Sequence, residues 1–204
     1  MTQRKPKTRI QQKNTEAILE AALVVFSQFG FRGSTLDQIA KEAGLSKPNL
    51  LYYFPSKEAI HTEVLEGLLD NWLDPLREMD ENGDPIDEIL SYMKRKLEMS
   101  RDYPRESRLF ANEILQGAPR MMHAITGELK ELVDSKVVII RKWSAEGRIA
   151  EIDPYHLIFS IWSLTQHYAD FDVQVRAILE EDQDQIFAEA DSYLTTLFTR
   201  MLKV

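Results

Sequence analysis

Apolar residues recur along almost the whole chain at the three- and four-residue spacing of amphipathic helices, and no stretch alternates like a strand. The first such segment covers residues 15–29 and stops at Gly30. Its apolar face is formed by Ile18, Leu19, Ala22, Val25, Phe26 and Phe29. The pattern therefore predicts an all-α fold of about nine helices.

Residues 35–60 contain two short helices joined by a tight turn. Thr35 and Gln38 form a T-x-x-Q capping box at the start of the first helix, and Gly44 follows its last periodic residue. Ser46 caps the second helix, whose Pro48 is tolerated only in the first turn. This spacing predicts a helix-turn-helix, the unit that places its second helix in a DNA major groove. An ordinary corner between two helices is the alternative.

The remaining helices are bounded by similar local signals. Ser56 caps a long helix that we expect to be interrupted near Pro75. Asp-Pro pairs, which combine an N-cap with a proline at the first helical position, open helices at Asp84 and Asp153. The helix from Asp84 extends to about residue 102, and further helical segments are predicted over 104–116, 119–146 and 182–202.

Residues 154–171 are apolar on nearly all sides, which predicts a helix buried on all sides. Together with the amphipathic last helix, this segment predicts a four-helix bundle formed with a second copy of the chain. A two-fold homodimer of this kind would present two recognition helices to successive grooves. The alternative is a central helix in a monomer core.

The charge of the chain is unevenly distributed. The 204 residues carry a net charge of −8, but residues 1–57 hold nine Lys/Arg against four Asp/Glu. Such asymmetry indicates a nucleic-acid-binding end. The opening stretch contains no acid up to Lys13, so it fits either an arm along phosphates or a solvated terminus; its basic residues are Arg4, Lys5, Lys7, Arg9 and Lys13. We expect a DNA-binding domain at 1–56 and a helical ligand-binding and dimerisation domain at 57–204.

Several classes of function are disfavoured. The chain has no cysteine, and no apolar run approaches the roughly 18 residues that span a bilayer. We see no phosphate-binding glycine loop, no nucleophile–base pair and no third ligand to complete a metal site with His167 and Asp170. We therefore predict a cytoplasmic, non-enzymatic protein without cofactor, catalytic or metal residues. A small helical enzyme or a protein-binding adaptor is the rival class.

The second helix of the corner supplies the candidate DNA contacts. Lys47 can donate to guanine and Asn49 can pair with adenine, whereas Pro48 offers only apolar contact, for instance to a thymine methyl. Contacts to phosphates are predicted for Thr35, Tyr52, Tyr53 and Lys57. One of the two tyrosines is alternatively a core residue of the small domain.

The corner resembles the TetR family of transcriptional regulators. The matching features are Ile-Ala at 39–40, Ala-Gly at 43–44, Leu-Ser at 45–46, an aromatic end at 52–54 and Ser-Lys-Glu-Ala at 56–59. The resemblance implies an all-helical homodimer with an N-terminal DNA-binding domain and a C-terminal domain for ligand binding and dimerisation.

A closer resemblance, to the pyrimidine-utilisation regulators of that family, covers most of the chain. It is carried by residues 26–31, 49–54, 100–104, 107–110, 156–159 and 163–171, and it departs at Pro48, where those regulators have threonine, and after Phe110. It implies uracil or thymine as an effector that releases the protein from its operator, the double-stranded DNA partner. A regulator responding to an unrelated apolar effector is the alternative.

Three residues are candidates for binding the effector. Trp162 and Gln166 are four residues apart and therefore share a helix face. A glutamine amide carries both a donor and an acceptor, which complement the edge of a uracil ring. Under the resemblance, Trp72 from the fourth helix covers the same pocket. Without the resemblance, the simpler interpretation is that both tryptophans are core residues.

Overall fold

The computed structural model describes residues 9–204, so the first basic residues of the predicted arm lie outside the described residues. The chain divides into two compact units, one ending at Leu68 and the other spanning Leu69–Val204. This division lies inside a continuous helix and further along the chain than the change in charge at residue 57.

The first unit is built from three helices and the beginning of a fourth. These are α1 (Arg9–Gly33), α2 (Leu36–Glu42), α3 (Lys47–Tyr53) and α4 (Lys57–Arg77). Helix α1 starts six residues earlier than the apolar pattern predicts, and it kinks at Gly30, where φ is +66°. The unit's core includes Ile18, Ala22, Phe26, Ile39, Leu50, Ile60 and Leu65. Phe29 does not belong to that core, because it is 46% exposed.

The local signals around α2 and α3 are confirmed. The Thr35 hydroxyl accepts from the Gln38 backbone N–H at 3.2 Å, and the Gln38 side chain accepts from the Thr35 N–H at 2.8 Å. Gly44 has a φ of +67°, the left-handed conformation that glycine adopts without a steric penalty. The Ser46 hydroxyl then accepts from the Asn49 N–H and starts α3. These caps fix the turn that presents α3.

The second unit contains the rest of α4 and seven further helices among the described residues. They are α5 (Pro85–Asp102), α6 (Pro104–Leu115), α7 (Met122–Ala124), α8 (Lys130–Ala145), α9 (Pro154–Asp170), α10 (Asp172–Leu179) and α11 (Gln183–Leu202). A π-helical turn, Ile125–Leu129, lies between α7 and α8. Asp84 and Asp153 cap α5 and α9, as their sequence positions predict.

The core of the second unit lies where α5 packs against α9 and α11. Met93, Ile158, Leu194 and Phe198 are almost fully buried there, together with Trp143 of α8. A side chain of α8 caps the C-terminal end of α4. The Lys136 ammonium donates to the Arg77 and Met79 carbonyls at 3.0 and 2.9 Å. Lysine at a helix C-terminus both satisfies free carbonyls and opposes the helix dipole.

Several predicted boundaries differ from the structure. Helix α4 continues through Pro75 to Arg77, and the predicted helix over 119–146 is divided by the π-helical turn, where Gly127 leaves helical geometry. Helix α10 has no counterpart in the predicted segments. Tyr193 of α11 is 61% exposed, although it belongs to the apolar residues of the amphipathic last helix.

Helix α9 is not buried on all sides within one chain. Phe159 and Phe171 are about half exposed, and His167 is also exposed. A helix whose apolar residues are only partly covered by its own chain fits an interface with a second copy better than the centre of a monomer core. Within residues 9–204, no helix is both long enough and apolar enough to cross a membrane.

We expect Asp84→Ala to destabilise the protein, because the Asp84 carboxylate accepts from the N–H groups of Ile86 and Asp87. Loss of such a cap costs about 1 kcal/mol and lowers the melting temperature by roughly 2–4 °C in a chain of this size. Thermal denaturation followed by circular dichroism measures the change. Lys94→Ala, an exposed change on the same helix, is the control and should shift the midpoint much less.

Candidate DNA-binding and effector sites

The first turn of α3 presents three of the predicted DNA-binding residues. Lys47, Pro48 and Asn49 are all exposed, because Ser46 ends the preceding turn and Pro48 fits the first helical positions. The structure therefore brings two polar side chains and one apolar ring together at the start of the recognition helix. This is the end of the helix that contacts base edges in helix-turn-helix proteins.

Lys47 is held by an acidic neighbour on α2. Its ammonium lies 2.9 Å from the Asp37 carboxylate, and both side chains are substantially exposed. Exposed ion pairs contribute little to stability, so the lysine is available to a stronger partner. The ammonium keeps two further N–H groups for DNA, although the Asp37 carboxylate beside it repels an approaching phosphate. Asp37 is not among the residues predicted from the sequence, since contacts ten residues apart leave no periodic pattern.

The two tyrosines at the end of α3 are linked to the start of α1. The Tyr53 hydroxyl accepts from the Asn14 amide at 2.7 Å, and the Tyr52 hydroxyl accepts from the Gln11 amide at 3.3 Å. Tyr52 is 71% exposed, whereas Tyr53 is half-buried. Because each phenol oxygen acts as an acceptor, its own proton remains available to a phosphate oxygen.

The other two predicted phosphate contacts also have structural roles. Thr35 is exposed, but its hydroxyl is part of the α2 capping box. The Lys57 ammonium donates to the carbonyls of Phe31 and Ser34, both at 2.7 Å, and lies 4.4 Å from the centre of the Phe31 ring. Two of its three N–H groups are thus used in holding the connection between α1 and α2, which leaves one for DNA.

The second unit contains a small cavity of about 60 Å³. Trp72, Trp162 and Gln166, the three predicted effector residues, all line it. The other lining residues are Leu69, Leu73, Tyr92, Lys96, Phe110 and Leu129. An apolar wall with a few polar groups is the usual composition of a small-molecule site.

Aromatic rings define the walls of this cavity. The Trp72 and Phe110 rings meet edge to face with centres 5.2 Å apart. The Trp162 indole N–H donates to the Tyr92 hydroxyl at 2.6 Å. Burial raises the pKa of Tyr92 well above its usual value, so the phenol keeps its proton at neutral pH. The Trp162 nitrogen is therefore occupied by the protein, whereas the Tyr92 O–H can donate to a ligand.

Lys96 is the one charged residue among those that line the cavity in the described chain. It is 5% exposed, and burial lowers the pKa of its ammonium to about 8. Its nitrogen lies 5.0 Å from the centre of the Trp72 ring, a cation–π distance. Lys96 is not among the residues predicted from the sequence, although it stands at a buried position of the α5 apolar stripe, between Met93 and Leu97.

The arrangement of a helix-turn-helix unit followed by a helical unit with a cavity of aromatic and polar side chains is that of a ligand-responsive DNA-binding regulator. Comparison with known proteins agrees. Residues 18–64 match the family described as bacterial regulatory proteins, tetR family, and residues 65–204 match the YcdC-like protein, C-terminal region. The chain belongs to the TetR family. Regulators of this family bind operator DNA and small-molecule effectors, typically as dimers, and they are not enzymes.

Individual relatives extend this comparison. The HTH-type transcriptional regulator RutR of Escherichia coli K12 is 52% identical over 182 residues, which cover 89% of this chain and 86% of that protein. Among solved structures, the ketosteroid transcriptional regulator KstR2 of Mycobacterium tuberculosis matches with a TM-score of 0.73 and 20% identity, covering 98% of each chain. Salmonella enterica GusR matches with a TM-score of 0.65 and 20% identity over 94% and 96% of the two chains. These two structures support the fold.

We expect Asp37→Asn to strengthen DNA binding. The change removes a negative charge beside the recognition helix and frees Lys47 from its ion pair, so affinity for duplex DNA should rise by a factor of roughly two to five. Fluorescence anisotropy with labelled DNA at several salt concentrations measures this. Glu151→Gln, which removes one exposed charge from the second unit, is the control.

The ion pair itself is tested by combining Asp37→Asn with Lys47→Met. If Asp37 acts by restraining Lys47, its removal should increase affinity less when Lys47 is absent. Equal gains in both backgrounds would show that Asp37 acts only through its charge on the phosphates.

Proposed function

We propose that this protein is a repressor of pyrimidine-utilisation genes that is released from its operator by uracil or thymine. The observation that carries the proposal is the composition of the effector cavity, in which Trp72, Trp162 and Gln166 line one small space with Tyr92 and Lys96. The 52% identity with RutR, together with the resemblance to pyrimidine-utilisation regulators, supports the same class of effector.

The cavity has the groups that a single-ring pyrimidine requires. The two indoles and Phe110 offer flat apolar surfaces for the faces of the ring. Gln166 supplies an amide donor and acceptor, whereas Tyr92 and Lys96 supply donors. A ring with two carbonyls separated by an N–H matches this mixture, because its edge presents two acceptors around one donor.

An apolar effector, such as a fatty acyl compound, fits this cavity less well. Such a ligand would offer the buried Lys96 ammonium no polar partner. Burying a polar or charged group without a hydrogen bond is costly. The presence of Lys96 therefore favours an oxygen-rich effector over a purely aliphatic one.

On DNA, we assign base contacts to Lys47 and Asn49, with Pro48 offering apolar contact. Phosphate contacts are assigned to Tyr52, Tyr53, Lys57 and Thr35. Since operator DNA is the partner, we place this activity in the bacterial cytoplasm, with a homodimer as the acting species.

Helix α4 is the element through which we expect the effector to act on DNA binding. The helix is continuous across the boundary of the two units and carries Trp72 on the cavity wall. Uracil would then stabilise a position of α4 in which the paired recognition helices no longer fit successive grooves. Matching positions of α4 in free and uracil-bound crystals would contradict this route.

Lys47→Ala should weaken binding to the operator by roughly 1–3 kcal/mol and relax the preference at one base pair. The loss should be much smaller on random duplex DNA, since non-specific binding depends on phosphates. Lys41→Ala, an exposed lysine of α2, is the matched control. Equal losses on operator and random DNA would assign Lys47 to a phosphate.

Uracil and thymine should raise the melting temperature as their concentrations exceed the dissociation constant, because a ligand that binds only the folded state stabilises it. Differential scanning fluorimetry of the full chain, with cytosine as a comparison, measures the shift. Gln166→Ala should abolish it, whereas Gln174→Ala on the exposed α10 should not. A uracil response in Gln166→Ala equal to that of the wild type would refute the assignment of Gln166.

A further inference from the structure

Four charged side chains in the helices of the second unit are buried. They are Lys96 of α5, Glu106 and Glu113 of α6 and Lys136 of α8, exposed by 5%, 7%, 2% and 8%. Charged groups are rarely buried unless they are paired, so each position requires an explanation. Their partners therefore distinguish a structural role from a functional one.

Three of the four have charged or polar partners in the protein, and Glu106 lies 3.6 Å from the Arg105 guanidinium. The Lys136 ammonium donates to two carbonyls at the end of α4. Glu113 accepts from the Arg120 guanidinium at 2.9 Å and from the Arg120 backbone N–H at 2.8 Å. Lys136 and Glu113 fasten neighbouring segments of the chain. Their charges are compensated within the protein.

Lys96 has no such compensation among residues 9–204. None of those residues places a carboxylate or another hydrogen-bond acceptor within bonding distance of its ammonium. The ammonium instead makes a cation–π contact with the Trp72 ring. A cation–π contact recovers only part of the hydration free energy that a buried ammonium loses. The ammonium borders the effector cavity, so a ligand can supply the missing acceptor.

The rest of the cavity is also rich in donors. No lining residue in the described chain is an acid. The Tyr92 oxygen already accepts from Trp162, so its proton is directed elsewhere, and Gln166 adds an amide N–H. A ligand that satisfies these groups must bring oxygen acceptors, and its binding is strongest where those oxygens carry negative charge, since charge-assisted hydrogen bonds are the stronger ones.

We propose that Lys96 is the specificity-determining residue of this cavity and selects acidic cyclic imides by a charge-assisted hydrogen bond to an imide oxygen. The inference rests on the proposed pyrimidine function and adds to it a predicted order of affinity among ligands of similar size. Among rings of equal size, the more acidic imide binds more tightly, because a larger fraction of it is the imide anion at neutral pH and the oxygens of that anion carry the negative charge. A ring that replaces one carbonyl with an amino group is rejected, because it presents a donor where an acceptor is required.

The comparison of uracil with 5-fluorouracil isolates this effect. Fluorine at C5 scarcely changes the size of the ring, but it withdraws electrons and makes the imide more acidic. The wild-type protein should bind 5-fluorouracil several-fold more tightly than uracil, and cytosine much more weakly than either. Isothermal titration calorimetry at neutral pH provides the three dissociation constants without any substitution.

Lys96→Met tests the residue itself. Methionine keeps a long, flexible side chain but carries no charge, so the ligand-free variant should melt at a higher temperature than the wild type. Its affinity for uracil should fall by at least about tenfold, the loss expected for a hydrogen bond to a charged group. Its preference for 5-fluorouracil should disappear. Lys94→Met, an exposed lysine on the same helix, should match the wild type in all three measurements.

This combination separates ligand selection from a structural role, because a structural lysine would lower the melting temperature when it is removed. Lys96→Met with uracil affinity and fluorine preference unchanged would overturn the inference and leave the pyrimidine proposal intact. Equal binding of uracil and 5-fluorouracil by the wild type would do the same. If the wild type bound neither, both proposals would fail.

Discussion

The hydrogen bond from the Trp162 indole to the Tyr92 hydroxyl is the contact on which the effector cavity depends. At 2.6 Å it joins α9 to α5, the two helices that pack most extensively in the second unit. It satisfies two polar groups whose burial without partners would cost free energy. It also determines which groups remain for a ligand. The indole N–H is already bonded to Tyr92, whereas the phenol keeps its proton and can donate it in a hydrogen bond. A single contact thus fixes the shape of one wall and its hydrogen-bonding character.

The buried charges of the second unit also differ in whether the protein supplies a hydrogen-bond partner. Lys136 and Glu113 have such partners, so Lys136 stabilises the end of α4 and Glu113 the turn after α6 without any ligand. Lys96 has no acceptor of its own among the described residues, so its burial destabilises the free protein. Strained or unsatisfied groups persist in folded proteins chiefly at functional sites. Under the role proposed for Lys96, stability and effector recognition oppose each other at this position of α5.

Local signals in the sequence predict much of the fold. The capping box at Thr35, the glycine at residue 44 and the Asp-Pro starts of α5 and α9 depend only on neighbours a few residues away, and the structure confirms them. Helix α10 and the π-helical turn were not predicted, because short helical segments are stabilised by tertiary packing more than by their own sequence. Of the cavity, sequence identifies Trp72, Trp162 and Gln166 only through resemblance. Lys96 was detectable in principle, as a lysine within a buried apolar stripe, but its lack of a partner is a three-dimensional property.

The end of α4 limits how an effector can act. Its last carbonyls are held by Lys136, and Arg77 pairs with Asp70 and Asp74 of the same helix and with Glu128 of the π-helical turn. Pro75 removes one backbone hydrogen bond just after Trp72, so the helix is weakened beside the cavity and fastened beyond it. Glu128 directly precedes Leu129, which lines the cavity. A ligand that contacts Trp72 and Leu129 therefore contacts both segments that the Arg77–Glu128 ion pair connects, helix α4 and the π-helical turn. Under the proposed route through α4, the influence of the ligand is set by the difference in its affinity for the two positions of the helix.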